Sequence, residues 1–134
     1  MSTARFDTAV SAYRVNGRSF EFLVAGGETD TGTSATVDLF VCAYNASITR
    51  FESCAASSTL IPPALSTGRG QITAIQFGLI TVFAGGFDTA GNTYVEIDVF
   101  ERVGDGFVAR TVPWVPPGSG TAAGRPRRTP CPWG

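Results

Sequence analysis

The chain has 134 residues, 43% of them hydrophobic, with 16 Gly, 8 Pro and 10 Phe; this is one domain's length, too apolar for a disordered chain and too rich in turn formers for long helices. The formal charge of −1 is uneven, −4 over residues 1–120 and +3 over 121–134 where Arg125, Arg127 and Arg128 fall, and it lacks the electrostatic footprint of a nucleic-acid binder. No histidine is present, which removes the commonest general base, the Ser-His and Cys-His nucleophile pairs and the usual imidazole metal ligand.

In chain order, the opening stretch from Met1 to Asp7 has no apolar segment of the kind a signal peptide needs. Short apolar runs without helical periodicity follow at about 6–13, 19–25, 35–43 and 48–54, and these are predicted strands. Asn16-Gly17, the polar loop from Gly26 to Thr33 and Asn45-Ala46 supply the turns between them. Asn45-Ala46-Ser47 is also a glycosylation sequon, read as chance because no secretion signal accompanies it. Four more strands are predicted at about 70–76, 78–84, 93–101 and 106–112, divided by Gly85–Asn92 and Gly104-Asp105-Gly106. The apolar run from Ala74 to Ala84 is interrupted by Gln76 and Gly78 and is too short to span a membrane, so a cytoplasmic location is the default expectation. The cysteines, Cys42, Cys54 and Cys131, are odd in number and contain no Cys-X-X-Cys. They signal neither a zinc site nor a disulfide framework; Cys42 and Cys54 could meet across a hairpin, but ordinary thiols are expected.

The two sets of strands are one unit written twice. Phe22-Leu23-Val24-Ala25-Gly26-Gly27 followed by Val37-Asp38-Leu39-Phe40 is echoed by Thr81-Val82-Phe83-Ala84-Gly85-Gly86 and Ile97-Asp98-Val99-Phe100. Gly26 to Gly85 is a step of 59, Asp38 to Asp98 a step of 60, and Ser2-Thr3-Ala4-Arg5 matches Ser66-Thr67-Gly68-Arg69 at a step of 64. A third start is visible where Pro116–Arg125 echoes Pro62–Arg69, but the pattern then breaks at Arg125–Gly134, which reads as a truncated or frame-shifted end.

An apolar strand closing in Gly-Gly, a polar loop, a strand with an acid beside an aromatic, and an Arg opening the unit together resemble the kelch repeat. The aromatic expected in the fourth strand is here Phe51 or Phe107, with Phe40 and Phe100 in the third and Tyr44 and Tyr94 nearby. The resemblance implies an all-β fold of two four-stranded antiparallel kelch-like propeller blades: blade 1 over 1–60, blade 2 over 61–115, then a third start and irregular tail over 116–134. Gly26, Gly27, Gly85, Gly86, Asp38, Asp98, Phe40 and Phe100 form the structural repeat motif, with the two aspartates expected to tether blade to blade. Propellers commonly have about four to eight blades, so two leave the ring incomplete. Other blades, or self-association, would be needed to close it.

A meander of this kind brings the start of strand one and the end of strand two to the same edge, and loops at such an edge commonly carry function. That edge collects Arg5, Asp7, Glu28 and Asp30 from the first copy and Arg69, Phe87 and Asp88 from the second. Arg5 and Arg69 have two readings, as ligand contacts or as side chains that bond neighbouring backbone to set blade spacing. The resemblance implies a non-catalytic module binding a protein or glycan, without metal, cofactor, nucleic acid or membrane. The alternatives are a piece of a propeller enzyme acting on carbohydrate, or an inactive remnant.

Overall fold

A computed structural model describes residues 3–115; the third start, the arginine-rich tail and Cys131 lie outside the described residues. The fold is all-β and antiparallel. Its strands are β1 (Ala9–Asn16), β2 (Ser19–Ala25), β3 (Glu28–Thr29), β4 (Gly32–Thr33), β5 (Val37–Asn45), β6 (Arg50–Ala56), β7 (Thr73–Phe77), β8 (Ile80–Ala84), β9 (Glu96–Val103) and β10 (Gly106–Pro113). Two four-stranded meanders result, β1-β2-β5-β6 and β7-β8-β9-β10, with β3 and β4 pairing as a small separate hairpin.

The opening strand of each sheet begins later than the apolar pattern predicts, at Ala9 and Thr73 instead of about residues 6 and 70. Asp7 and Gln71, 64 positions apart, take φ values of 53° and 52°. Each breaks the strand there, because a left-handed residue cannot continue a pleat. The β3–β4 hairpin, in a stretch expected to be loop, bonds to the segment before Asp7 through the Phe6–Glu28 bridge.

The two sheets stack face to face. Ala9, Tyr13, Leu23, Ala25, Val37 and Leu39 of the first sheet meet Phe83 and Phe100 of the second, with Leu65 and Ile72 of the connecting segment closing the core. Alternation along β1 and β2 sends every second side chain to this face, and Phe83 and Phe100 lie edge to face with centroids 5.5 Å apart. Polar pairs fix how the faces sit. The Arg102 guanidinium donates to Glu21 from Nε at 3.0 Å and from Nη2 at 3.2 Å. Tyr13 donates to the same carboxylate at 2.5 Å, and Ser11 and Thr81 both donate to Gln76 Oε1. A buried ion pair adds little net stability over an apolar pair, but it penalises any other stacking register.

The cysteine expectation is corrected. Cys42 and Cys54 face each other directly in the β5–β6 ladder, with Cα atoms 4.1 Å apart, and form a disulfide. Directly opposed positions of an antiparallel ladder bring the two side chains close enough for their sulfurs to join. Strand β6 is an edge strand with every side chain exposed, so this bond is its covalent tie to the sheet.

Candidate functional site

The two glycine doublets hold the same backbone conformation, with φ of 65° and 99° at Gly26 and Gly27 and 71° and 92° at Gly85 and Gly86. The second glycine of each is required by a close approach. A Cβ on Gly27 would lie 2.6 Å from the Phe6 carbonyl oxygen, and one on Gly86 would lie 2.5 Å from that of Gly70. No L side chain fits either place. The turns they make bring the loop edge together as a continuous bonded band: Glu28 pairs with Phe6, Gln71 N–H donates to the Asp7 carbonyl at 3.1 Å, and Gly70 pairs with Phe87. These backbone bonds join the loops that hold the sequence-predicted residues.

Its members differ in what they face. Arg5 and Arg69 are not surface groups; both side chains are fully buried. Arg5 donates to Asp38 and, at 2.7 Å, to the Thr36 carbonyl. Arg69 donates to Asp98 at 2.9 Å, and Asp98 also accepts from Ser66 N–H, Ser66 Oγ and Thr111 Oγ1. The Nε of each arginine has no partner among the described residues. Asp38 and Asp98 thus each bond the arginine of their own unit. The Arg69 backbone crosses between units: it accepts from Gly27 N–H at 2.9 Å and donates to the Ser34 carbonyl at 3.3 Å.

Asp88 is consumed by its own loop. Its carboxylate accepts from Ala90 N–H and Asn92 N–H, from Asn92 Nδ2 and from Tyr94 Oη, all at 2.8–2.9 Å. These bonds, Asn92 first, hold its pKa down at about 2. Phe87 serves through its backbone bridges to Gly70 and Thr93. The Glu28 side chain lies over Gly70, where a Cβ would come within 3.1 Å of its Cγ.

Asp30 is left as an exposed carboxylate at the tip of the β3–β4 hairpin. It borders a cleft of about 450 Å³ lined by Thr29, Thr31, Thr33 and Ser34 of the hairpin and by Thr3 and Ala4 of the leading segment. Thr29 Oγ1 donates to the Gly32 carbonyl at 2.8 Å and Thr33 Oγ1 to the Gly68 carbonyl at 2.9 Å, which orients both hydroxyls and leaves their oxygens able to accept. Sequence reasoning took only the acid from this loop. The run of hydroxyls between Thr29 and Thr36 is the signal it passed over, and the second unit has no equivalent. A further cleft of about 480 Å³ lies among the hairpin turns of the first sheet, lined by Arg18, Tyr44, Asn45 and Glu52 among others. Among the described residues no group of three or more metal-ligating side chains gathers, and no helix is long and apolar enough to cross a membrane. Neither the protein-family models nor the curated proteins contain a match to this chain.

Proposed function

We propose that the chain is a non-catalytic interaction module of two kelch-like blades, and that it holds a protein or glycan ligand in the cleft beside Asp30. The hydroxyl-lined cleft carries this reading. Its volume is in the range of small-ligand sites, its lining offers oriented hydroxyl groups with one carboxylate, and Asp30 is its single titratable side chain. Such a set suits a ligand with hydroxyl or amide hydrogens to donate, as a sugar or a peptide backbone has. The kelch reading is supported by the matched glycine doublets and by the Arg–Asp pair that recurs in each unit. The Cys42–Cys54 bond favours an oxidising compartment over the cytoplasm expected by default.

The test is a glycan and peptide binding screen on the folded chain, followed by titration of any hit against Asp30→Ala and Thr31→Ala, with Arg18→Ala in the other cleft as control. Loss of a hydrogen bond to a charged group is worth about 1.5–3 kcal/mol, so Asp30→Ala should weaken binding at least about tenfold while Arg18→Ala leaves it unchanged. A ligand whose affinity ignores Asp30 and Thr31 would place the site elsewhere.

A further inference from the structure

We infer that Asn45, at the tip of the β5–β6 hairpin, is a modification site that carries an N-linked glycan. The site is at the other end of the first sheet from the Asp30 cleft, and it stands or falls apart from the ligand proposed there.

The chain has three asparagines, Asn16, Asn45 and Asn92, and only Asn45 opens a glycosylation triplet, with Ala46 and Ser47 after it. By itself such a triplet often arises by chance. Two structural observations bear on it. The first is that Cys42, three residues earlier on the same strand, is joined to Cys54 across the same hairpin. Disulfides persist in oxidising compartments, and N-linked glycans belong to chains that pass through one. The second is that neither feature is part of the repeated unit. In the second sheet the corresponding β9–β10 hairpin turns through Gly104 and Asp105 alone, between the paired Val103 and Gly106, and it has no cysteine. In the first sheet four residues, 46–49, separate the paired Asn45 and Arg50. Two residues are enough to close such a hairpin. The longer turn, its triplet and its disulfide are therefore additions confined to one hairpin, and the same compartment suits them all.

The hairpin also presents the acceptor atom. Ala46, Ser47 and the rest of the turn are exposed. Asn45 Oδ1 accepts from Ser47 N–H at 3.0 Å, an Asx turn that fixes the side chain. Nδ2 donates one of its two hydrogens to Glu52 Oε1 at 2.6 Å. Glu52 is there because Ala43 pairs with Ser53 and Tyr44 with Phe51, which makes Glu52 the extra residue of a bulge, and bulges re-aim side chains. Glycan transfer consumes the other hydrogen. Nδ2 attacks the anomeric carbon of an oligosaccharide carried on a lipid diphosphate. A carbon–nitrogen bond forms, the carbon–oxygen bond to the diphosphate breaks, the diphosphate leaves with that electron pair, and one proton leaves Nδ2. The product amide keeps a single N–H, the one that Glu52 already holds, so the transfer needs none of the hydrogen bonds Asn45 makes. Beside Asn45 lies the cleft of about 480 Å³ with Arg18, Tyr44 and Glu52 in its wall, a volume that accommodates the first sugar.

Strand β5 runs from Val37, next to the loop edge, to Asn45, roughly 26 Å away at about 3.3 Å per residue. A glycan at this end leaves the Asp30 cleft open. It stands instead against the end of β6, an edge strand with one side of its ladder unpaired, and such edges pair with other chains unless something blocks them.

The test is made on the chain as its source produces it. Its mass should fall on treatment with peptide N-glycosidase by that of at least one oligosaccharide. In the reduced tryptic peptide of residues 19–50, release in heavy-oxygen water should convert Asn45 to Asp with uptake of one labelled oxygen. In a secreting eukaryotic host the wild type and Ser47→Thr should carry the glycan, and Ser47→Ala, which keeps Asn45 and both its hydrogen bonds, should lose it entirely with an unchanged circular dichroism spectrum. Unmodified Asn45 in the source chain, free thiols at Cys42 and Cys54 there, or a glycan retained by Ser47→Ala would overturn the inference. A chain that binds its ligand through Asp30 with Asn45 bare would sink this inference and leave the proposed function standing; a glycosylated chain that binds no ligand would do the reverse.

Discussion

Replacing Asp98 by Ala removes the partner of a guanidinium that is wholly buried. Asp98 Oδ2 accepts from Arg69 Nη2 at 2.9 Å, Ser66 N–H at 3.1 Å and Ser66 Oγ at 3.0 Å, and Oδ1 accepts from Thr111 Oγ1 at 2.8 Å. In its absence Arg69 keeps two long bonds from Nη1, to Ser66 Oγ and the Thr67 carbonyl, both 3.4 Å. Leaving one member of a buried pair uncompensated costs about 3–5 kcal/mol, a large share of the roughly 5–15 kcal/mol that holds a domain folded. With a urea slope of about 1–3 kcal/mol per molar, the midpoint followed by far-ultraviolet circular dichroism should fall by about 2 M. Asp98→Asn, which keeps the shape and some of the bonds, should fall between Asp98→Ala and wild type. The double replacement Arg69→Met with Asp98→Leu should recover much of the loss, because nothing charged then remains buried. A cost below about 1 kcal/mol for Asp98→Ala, or a double variant no better than the single one, would show that the pair does not pin the unit.

The disulfide closes a loop with a sequence separation of 12, so Cys42→Ala with Cys54→Ala, or reduction of the wild type, should lower stability by about 2–3 kcal/mol, read from the urea midpoint with and without reductant. Gly26→Ala, where the new methyl would lie 2.4 Å from the Arg69 carbonyl oxygen, should destabilise far more than Gly85→Ala, which meets open space and should cost only the left-handed penalty of about 1–2 kcal/mol; equal midpoints for the two would refute the asymmetry. Burial, then the hydrogen bond to Glu21, raises the Tyr13 pKa. A raised folded pKa gives stability that is complete below the ordinary tyrosine value of about 10 and declines as pH rises above it, and Tyr13→Phe should flatten this alkaline decline in a series of pH-dependent melts. Asp88 has the opposite sign: with its pKa lowered from 3.8 to about 2, the order it gives its loop is complete above about pH 4 and lost as pH falls through about 2, which amide exchange at Asn92 should follow.

Strand content, the meander order and the glycine doublets were legible in the sequence because they depend on near neighbours. Alternation sets which side of a strand is buried, and the turn after Ala25 or Ala84 needs residues that accept positive φ. The late start of β1 and β7 was not legible: Gln71 carries no special propensity for the left-handed region, and Asp7, which tolerates it, stands in a run that otherwise reads as strand. That these loops lie side by side was legible in the sequence; what each side chain faces was not. Arg5 and Arg69 occupy the edge in sequence, yet the fold turns their side chains inward to Asp38 and Asp98. The hydroxyls that line the cleft matter only because the hairpin folds beside Thr3 and Ala4.

The sequence by itself determined that there are two equivalent antiparallel units, because a repeated pattern of apolar, turn and glycine positions acts through local sterics and strand pleat. Only the tertiary structure decided which faces are covered, which cysteines are joined and which charges are paired. Glu21 and Arg102 are 81 residues apart, and their meeting depends on how one whole sheet lies on the other. Burial and pairing at that distance are properties of the stacked pair of sheets, and no short stretch of the chain encodes them.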